Sequence, residues 1–243
     1  MYLLHIFQSK EELTGGIAEY AATFINSAIT HRDQAIVALS GGSTPRPLYK
    51  LLAQSYRNKV HWEKVKIFWG DERCVPPDHN DSNYLMVKQA LLDHVPIPAS
   101  NIYRVKGELD PHSASDDYRA QLQSAFGTDL PRFDLMLLGM GDDGHTASLF
   151  PNTDVLHEQS KWVVPSYAEA LDSWRITLTY PVINNARNVV FLVSGENKAR
   201  MVNLVLNGPE DVERYPSQGV KPTDGELYWF VDEAAASRLK PIV

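Results

Sequence analysis

Apolar residues along this chain fall into short runs separated by amphipathic stretches. The runs at 35–40 (AIVALS), 65–70 (VKIFWG), 133–139 (FDLMLLG), 162–165 (WVVP), 175–179 (RITLT), 188–194 (NVVFLVS) and 227–231 (LYWFV) are rich in β-branched and aromatic residues. Several are apolar almost throughout, the pattern of strands covered on both faces in a parallel sheet. Between them, segments 11–30, 45–55, 82–92, 113–125 and 196–206 predict helices. The alternation of β and α implies one α/β domain over 1–243, with an open doubly wound, mostly parallel sheet and helices on both faces, a Rossmann-like arrangement. Such sheets bind ligands beyond the carboxyl ends of their strands. The loops after Leu39, Trp69, Leu138 and Val193 are therefore where chemistry is expected. Segment 207–226, with its Gly, Pro and acidic residues, is the one long irregular stretch. Loops of that length either pack as surface excursions or act as lids.

The first of these loops reads Gly41-Gly42-Ser43-Thr44-Pro45. The glycines allow a tight turn, Ser43 and Thr44 offer hydroxyls and an N-cap, and Pro45 suits the first helical position. Free N–H groups at such a helix start face an anion well. The stretch is not a nucleophile elbow, because Pro45 stands where G-x-S-x-G needs glycine, and it lacks the lysine of a P-loop. An ordinary capped strand-to-helix turn is the plain alternative.

The stretch GMGDDGHTASLFP at 139–151 matches G-x-G-x-x-G formally. A dinucleotide is not expected there. Pro151 interrupts the long helix such a site needs, and Asp142 and Asp143 would repel a pyrophosphate. What the stretch does offer is Asp143 and His145, two residues apart beyond a buried strand, as a base and its orienting partner. Histidine titrates near neutral pH, so it can take a proton from water and return it to a leaving oxygen. The alternative is a histidine that merely packs in a turn.

After VKIFWG comes Asp71-Glu72-Arg73-Cys74, with Ser82 placed to cap the next helix. Arg73 suits a phosphate or carboxylate, or else an intraloop salt bridge with a neighbouring acid. No base adjoins Cys74, so it is not expected to act as a nucleophile. Arg175 and Lys198 lie at strand and helix edges, where a cation can meet an anion.

Composition narrows the function further. The chain has 243 residues, 44% hydrophobic and 22% charged, which suits a folded domain with a substantial core. A net charge of -7 argues against a role in neutralising nucleic-acid phosphates. The single cysteine fits a reducing compartment, and no metal site is expected, since zinc-ligand spacings are missing. No segment resembles a leader or a membrane span, so a cytoplasmic protein that binds neither membrane nor nucleic acid is expected.

Taken together, SGGSTP, GDERCVPPDHNDSN, GMGDDGHTASLFP, RITLT and SGENKA resemble 6-phosphogluconolactonases, in that family's order and over nearly the whole chain. The resemblance implies hydrolysis of 6-phospho-D-glucono-1,5-lactone in the pentose phosphate pathway, without a cofactor, and with a phosphorylated sugar lactone as the small-molecule partner; a monomer is favoured. It implies that His145 activates water, helped by Asp143, and that Gly41, Gly42, Ser43, Thr44, Arg175 and Lys198 hold the phosphate. Asp71 and Arg73 would also contact substrate. The related glucosamine-6-phosphate deaminases resemble the chain at the phosphate turn and the Asp-Gly-His core. They carry Asn-Glu-Pro where this chain has Leu149-Phe150-Pro151, and usually a tyrosine where it has Arg73, although Asp71 is retained. A non-catalytic sugar-phosphate-sensing module is the remaining alternative; it should lack the Asp143/His145 pair.

Overall fold

The computed structural model describes residues 1–239; positions 240–243 of the expected domain lie outside the described residues. From the amino end, β1 (Leu3–Phe7) leads through α1 (Lys10–Arg32), β2 (Ala35–Leu39) and α2 (Pro45–Ser55) to β3 (Val65–Trp69) and the short β4 (Asp71–Arg73). Helices α3 (Asn83–Ala90) and α4 (Pro111–Phe126) precede β5 (Leu135–Gly139), and β6 (Val163–Ala168) and β7 (Ser173–Leu178) form a hairpin. One-turn α5 (Tyr180–Ile183), β8 (Asn188–Val193), α6 (Ala199–Asn207), β9 (Glu226–Asp232) and one-turn α7 (Glu233–Ala236) complete the chain.

The main sheet has six strands in the order β1-β9-β8-β5-β2-β3, and every pairing in it is parallel. Its two faces are covered separately, and side-chain alternation divides the strands between them. On β2, Ala35, Val37 and Leu39 face the core shared with α1, α2 and α3, while Ile36 and Ala38 face the core shared with α4 and α6. Both faces are therefore dry, which explains why the strand runs read as almost wholly apolar.

The sequence reading fails in three places. Strand β1 is an edge strand paired with β9, and its alternating exposure hid it within an apolar start broken by His5. The runs at 162–165 and 175–179 do not join the main sheet. They form β6 and β7 of a second, antiparallel sheet in the order β4-β7-β6, packed over the α4 side. Strand β4, only three residues long, exists because it pairs with β7.

Topology fixes where the site must lie. From β2 the chain first steps outward to β3, then returns to the other side of β2 to lay down β5 and, beyond it, β8. The loops leaving β2 and β5 diverge, and the crevice between them is the switch point at which such sheets bind ligands.

Candidate active site

A cleft of about 470 Å³ opens at that crevice. All four loops singled out by topology reach it. Gly41, Gly42, Ser43 and Thr44 come from β2, Asp71 and Arg73 from β4, His145 from the loop after β5, and Lys198 from the turn after β8; Arg175 of β7 closes one wall. Asp143 stands behind His145. The ten residues expected from sequence are thus brought to one place.

The His145 loop is built for one ring orientation. The imidazole Nδ1 lies 2.6 Å from Asp143 Oδ1, and the His145 backbone N–H donates to the same oxygen at 3.1 Å. A carboxylate only accepts, so the ring proton sits on Nδ1 and the lone pair is left on Nε2. Partial burial pushes the Asp143 carboxyl up, but the His145 ring and backbone donors more than offset this, and it titrates below the ordinary aspartate range. The ring of Phe150 flanks the imidazole at 4.8 Å. No side chain fits at position 141: a Cβ there would lie 2.1 Å from His145 Nδ1 and 2.6 Å from Asp143 Oδ1. Thr146 Oγ1 donates to Gly139 O, and Gly141 N–H to His145 O, closing the loop upon itself. Ala147 adopts φ +47°, a left-handed conformation that is uncommon for alanine, within this loop.

Segment 207–226 is a buttress beneath the loop. Ser217 donates to Gly144 O through both Oγ (2.8 Å) and N–H (2.9 Å), and Tyr215, Ser217 and Gln218 are buried. Of the two readings open for this segment, the packed excursion is the observed one.

On β4, alternation sends Asp71 and Arg73 to the cleft and turns Glu72 inward. Asp71 Oδ2 accepts from Ser148 Oγ at 2.7 Å, and Asn83 Nδ2 donates to Asp71 O at 2.9 Å. Glu72 is 2% exposed and ties β4 to the first turn of α3: its carboxylate accepts from the N–H groups of Arg73, Asn83 and Tyr84 and from Ser82 Oγ. Ser82 caps α3 by accepting from Leu85 N–H, as expected. Arg73 makes no carboxylate salt bridge among the described residues; it donates instead to the backbone carbonyl of Asp81. Arg73 lies directly opposite Arg175 in the β4–β7 register. Arg175 is 9% exposed, and burial together with the charge of Arg73 pulls its pKa down. Two facing guanidiniums, offset in part by the carboxylates of Asp71 and Asp81, make an electropositive wall that suits an anion.

The turn after β2 is pinned from beneath: Tyr49 Oη donates to Ser40 O at 2.7 Å and accepts from Ser40 N–H. Pro45 begins α2, but Thr44 makes no side-chain capping bond, contrary to expectation. Neither hydroxyl of Ser43 and Thr44 is used by the helix, which leaves both to the cleft. At Gly41, a Cβ would lie 1.7 Å from Asn83 Oδ1, so the turn and the amide that holds Asp71 are packed directly together.

Lys198 Nζ donates to Met140 O at 2.9 Å and pairs with Asp142 at 2.6 Å. It thereby straps the β8 turn to the β5 loop while facing the cleft. Burial raises the Cys74 thiol to about 11, which disfavours the thiolate a nucleophile needs. Among the described residues, no group of three metal-ligating side chains converges, and no helix is long and apolar enough to cross a membrane.

Sequence reasoning missed Ser148 and Asn83, which position Asp71. Ser148 lies three residues beyond His145, and Asn83 follows the capping Ser82, so proximity to named motifs was the only signal. The Asn83 Oδ1 and Ser40 Oγ atoms are buried beside the cleft without a hydrogen-bond partner among the described residues.

Comparison with known proteins gives the chain's family. Residues 8–229 match the family described as glucosamine-6-phosphate isomerases/6-phosphogluconolactonase. The chain is 43% identical over 223 residues to the 6-phosphogluconolactonase of Synechocystis sp., covering 90% of each. It is 38% identical over 246 residues to the chloroplastic 6-phosphogluconolactonase 3 of Arabidopsis thaliana, covering 97% of this chain and 75% of the relative. The solved structure of 6-phosphogluconolactonase from Trypanosoma cruzi superposes with a TM-score of 0.88 at 28% identity, over 99% of this chain and 97% of the other. With a family match over most of its length, the same sheet and these close relatives, the chain belongs to the glucosamine-6-phosphate isomerase/6-phosphogluconolactonase family.

Proposed function

We infer that the chain hydrolyses 6-phospho-D-glucono-1,5-lactone to 6-phosphogluconate. The observation that carries the reading is the Asp143–His145 pair facing the same cleft as the paired guanidiniums and the Gly41–Thr44 turn. The names of the relatives support the same substrate.

In this mechanism the phosphate is held by the turn, with its free N–H groups and hydroxyls, and by Arg175 and Lys198, while Arg73 adds its charge to the wall. Asp71, fixed by Ser148 and Asn83, accepts from sugar hydroxyls. Binding at the remote phosphate positions the carbonyl carbon near His145. Nε2 takes a proton from water as the water oxygen attacks that carbon, and Asp143 stabilises the imidazolium that forms. The tetrahedral intermediate collapses, the bond from carbon to the ring oxygen breaks, and Nε2–H returns the proton to that oxygen. The product acid then ionises, releasing one proton per turnover. A δ-lactone is an activated ester, so a general base supplying about 10²–10⁴-fold suffices without a covalent nucleophile.

Acid release from freshly made 6-phosphogluconolactone, measured against its spontaneous hydrolysis, tests this. The wild type should accelerate it. His145→Ala should lose nearly all the enzyme-dependent rate with folding intact, and Asp143→Asn should lose on the order of 10²-fold or more in kcat by mis-setting the ring proton. A fully active His145→Ala protein rejects the mechanism, and an inactive wild type rejects the function. Ammonia release from glucosamine 6-phosphate would instead favour deamination. Phe150, an apolar ring against His145 in place of the deaminases' glutamate, argues against that outcome.

A further inference from the structure

Beside the cleft lies a second groove of about 500 Å³ between α2 and the β4–α3 loop. It shares Gly42, Ser43, Arg73 and Asn83 with the cleft, so the two are continuous. Its other walls carry Arg46 and Lys50, one helical turn apart on α2, and no carboxylate lines it. Asp81 belongs to the same loop, but its carboxylate lies towards His79. Farther out, Lys50 also borders a third depression that includes Arg57 and His94, where the one acid, Asp93, is paired with Lys88 at 2.6 Å. Arg46, Lys50 and Arg57 are exposed and make no ion pair among the described residues. From the outside inward, the furrow presents Arg57, Lys50, Arg46, Arg73 and then Arg175.

This ordering is uneconomical for folding. Unpaired like charges along one helix face repel one another, and α2 carries no acid in its first turn to offset Arg46. The chain as a whole carries a net charge of -7, so its average field repels a dianionic ligand and a local cationic path matters more. A cationic furrow with a low-dielectric floor focuses the field and raises the local concentration of anions. The furrow ends at the turn whose backbone and hydroxyls are free to take a phosphate.

We propose that the α2 furrow is an outer anion subsite that captures the phosphoryl group of the substrate through Arg46 and Lys50 and passes it along Arg73 to the inner phosphate turn. The proposal rests on the lactonase reading and deepens it: the ligand class is a small sugar-phosphate dianion. Arg46 and Lys50 touch no reacting atom, so they act on encounter and not on the chemical step.

Steady-state hydrolysis of 6-phosphogluconolactone at low and high salt tests it, with the wild type, Arg46→Glu/Lys50→Glu and the neutral Arg46→Gln/Lys50→Gln. At low salt the charge-reversed variant should lose about tenfold in kcat/KM, with kcat changed by less than about twofold. The neutral variant should lose less. At high salt all three should converge to within about twofold, because screening removes the focusing field. Unchanged kcat/KM at low salt, or a loss that persists at high salt, overturns the proposal; the neutral variant keeps the test decisive if charge reversal perturbs folding. An inactive wild type, by contrast, would overturn the lactonase reading itself, so the two failures are told apart.

Discussion

Glu72 and Asp71 are adjacent carboxylates with opposite duties. Glu72 is surrounded by donors yet buried; desolvation outweighs those hydrogen bonds, with repulsion from Asp71 adding to it, and the carboxyl is raised to about 7. The folded state therefore binds a proton that the unfolded chain, with glutamate near its ordinary value of 4.5, has already released. Between those values the native state holds more protons, so stability must fall as pH rises from about 4.5 to about 7. Denaturant unfolding of the wild type across this range should show a loss on the order of 2–3 kcal/mol from this group, and Glu72→Gln should flatten that part of the profile. Parallel profiles for the two proteins would contradict the assignment. The residue pattern placed both acids beyond a strand end, and only the family resemblance singled out Asp71, because the two-residue alternation that divides them belongs to a strand formed only by pairing with β7.

Elements explain which parts of the site were legible. The strand ends and helix starts after β2, β3, β5 and β8 announce themselves through apolar runs that stop at glycine, serine or aspartate, so the residues they carry were found. Strand β7 also reads clearly, but nothing local says that it joins β4 and β6 and leaves the main sheet; that choice is made by packing against α4. Segment 207–226 was ambiguous for the same reason, since its role lies in a contact made 73 positions away in sequence, between Ser217 and Gly144. Ser217→Ala removes that hydroxyl from a buried carbonyl and should cost about 1 kcal/mol, read as a fall of about 2–4 °C in Tm. Because Gly144 adjoins both Asp143 and His145, kcat should fall while KM changes little. A Tm loss with undiminished kcat would show that the segment supports the fold without supporting the loop's geometry.

At the scale of the molecule, the parallel sheet has two edges, and β1 forms one of them. Its backbone pairs with β9 from Leu3 to Phe7, and His5 and Phe7 stack on Phe230 at 4.7 and 5.6 Å. Deleting residues 1–8 would bare the β9 ladder, a template for pairing with other chains. Size-exclusion chromatography of that truncation should show concentration-dependent association and a lower Tm; a monodisperse, equally stable product would contradict this. The open edge lies far from the crevice between β2 and β5, where the imidazole and the glycine–serine turn arrive on neighbouring strands. That spacing, about 4.8 Å between paired backbones, is set by hydrogen bonding and not by any side chain. The sheet thus fixes the separation of the points from which the two loops depart, and the loops themselves set the distance between imidazole and phosphate turn.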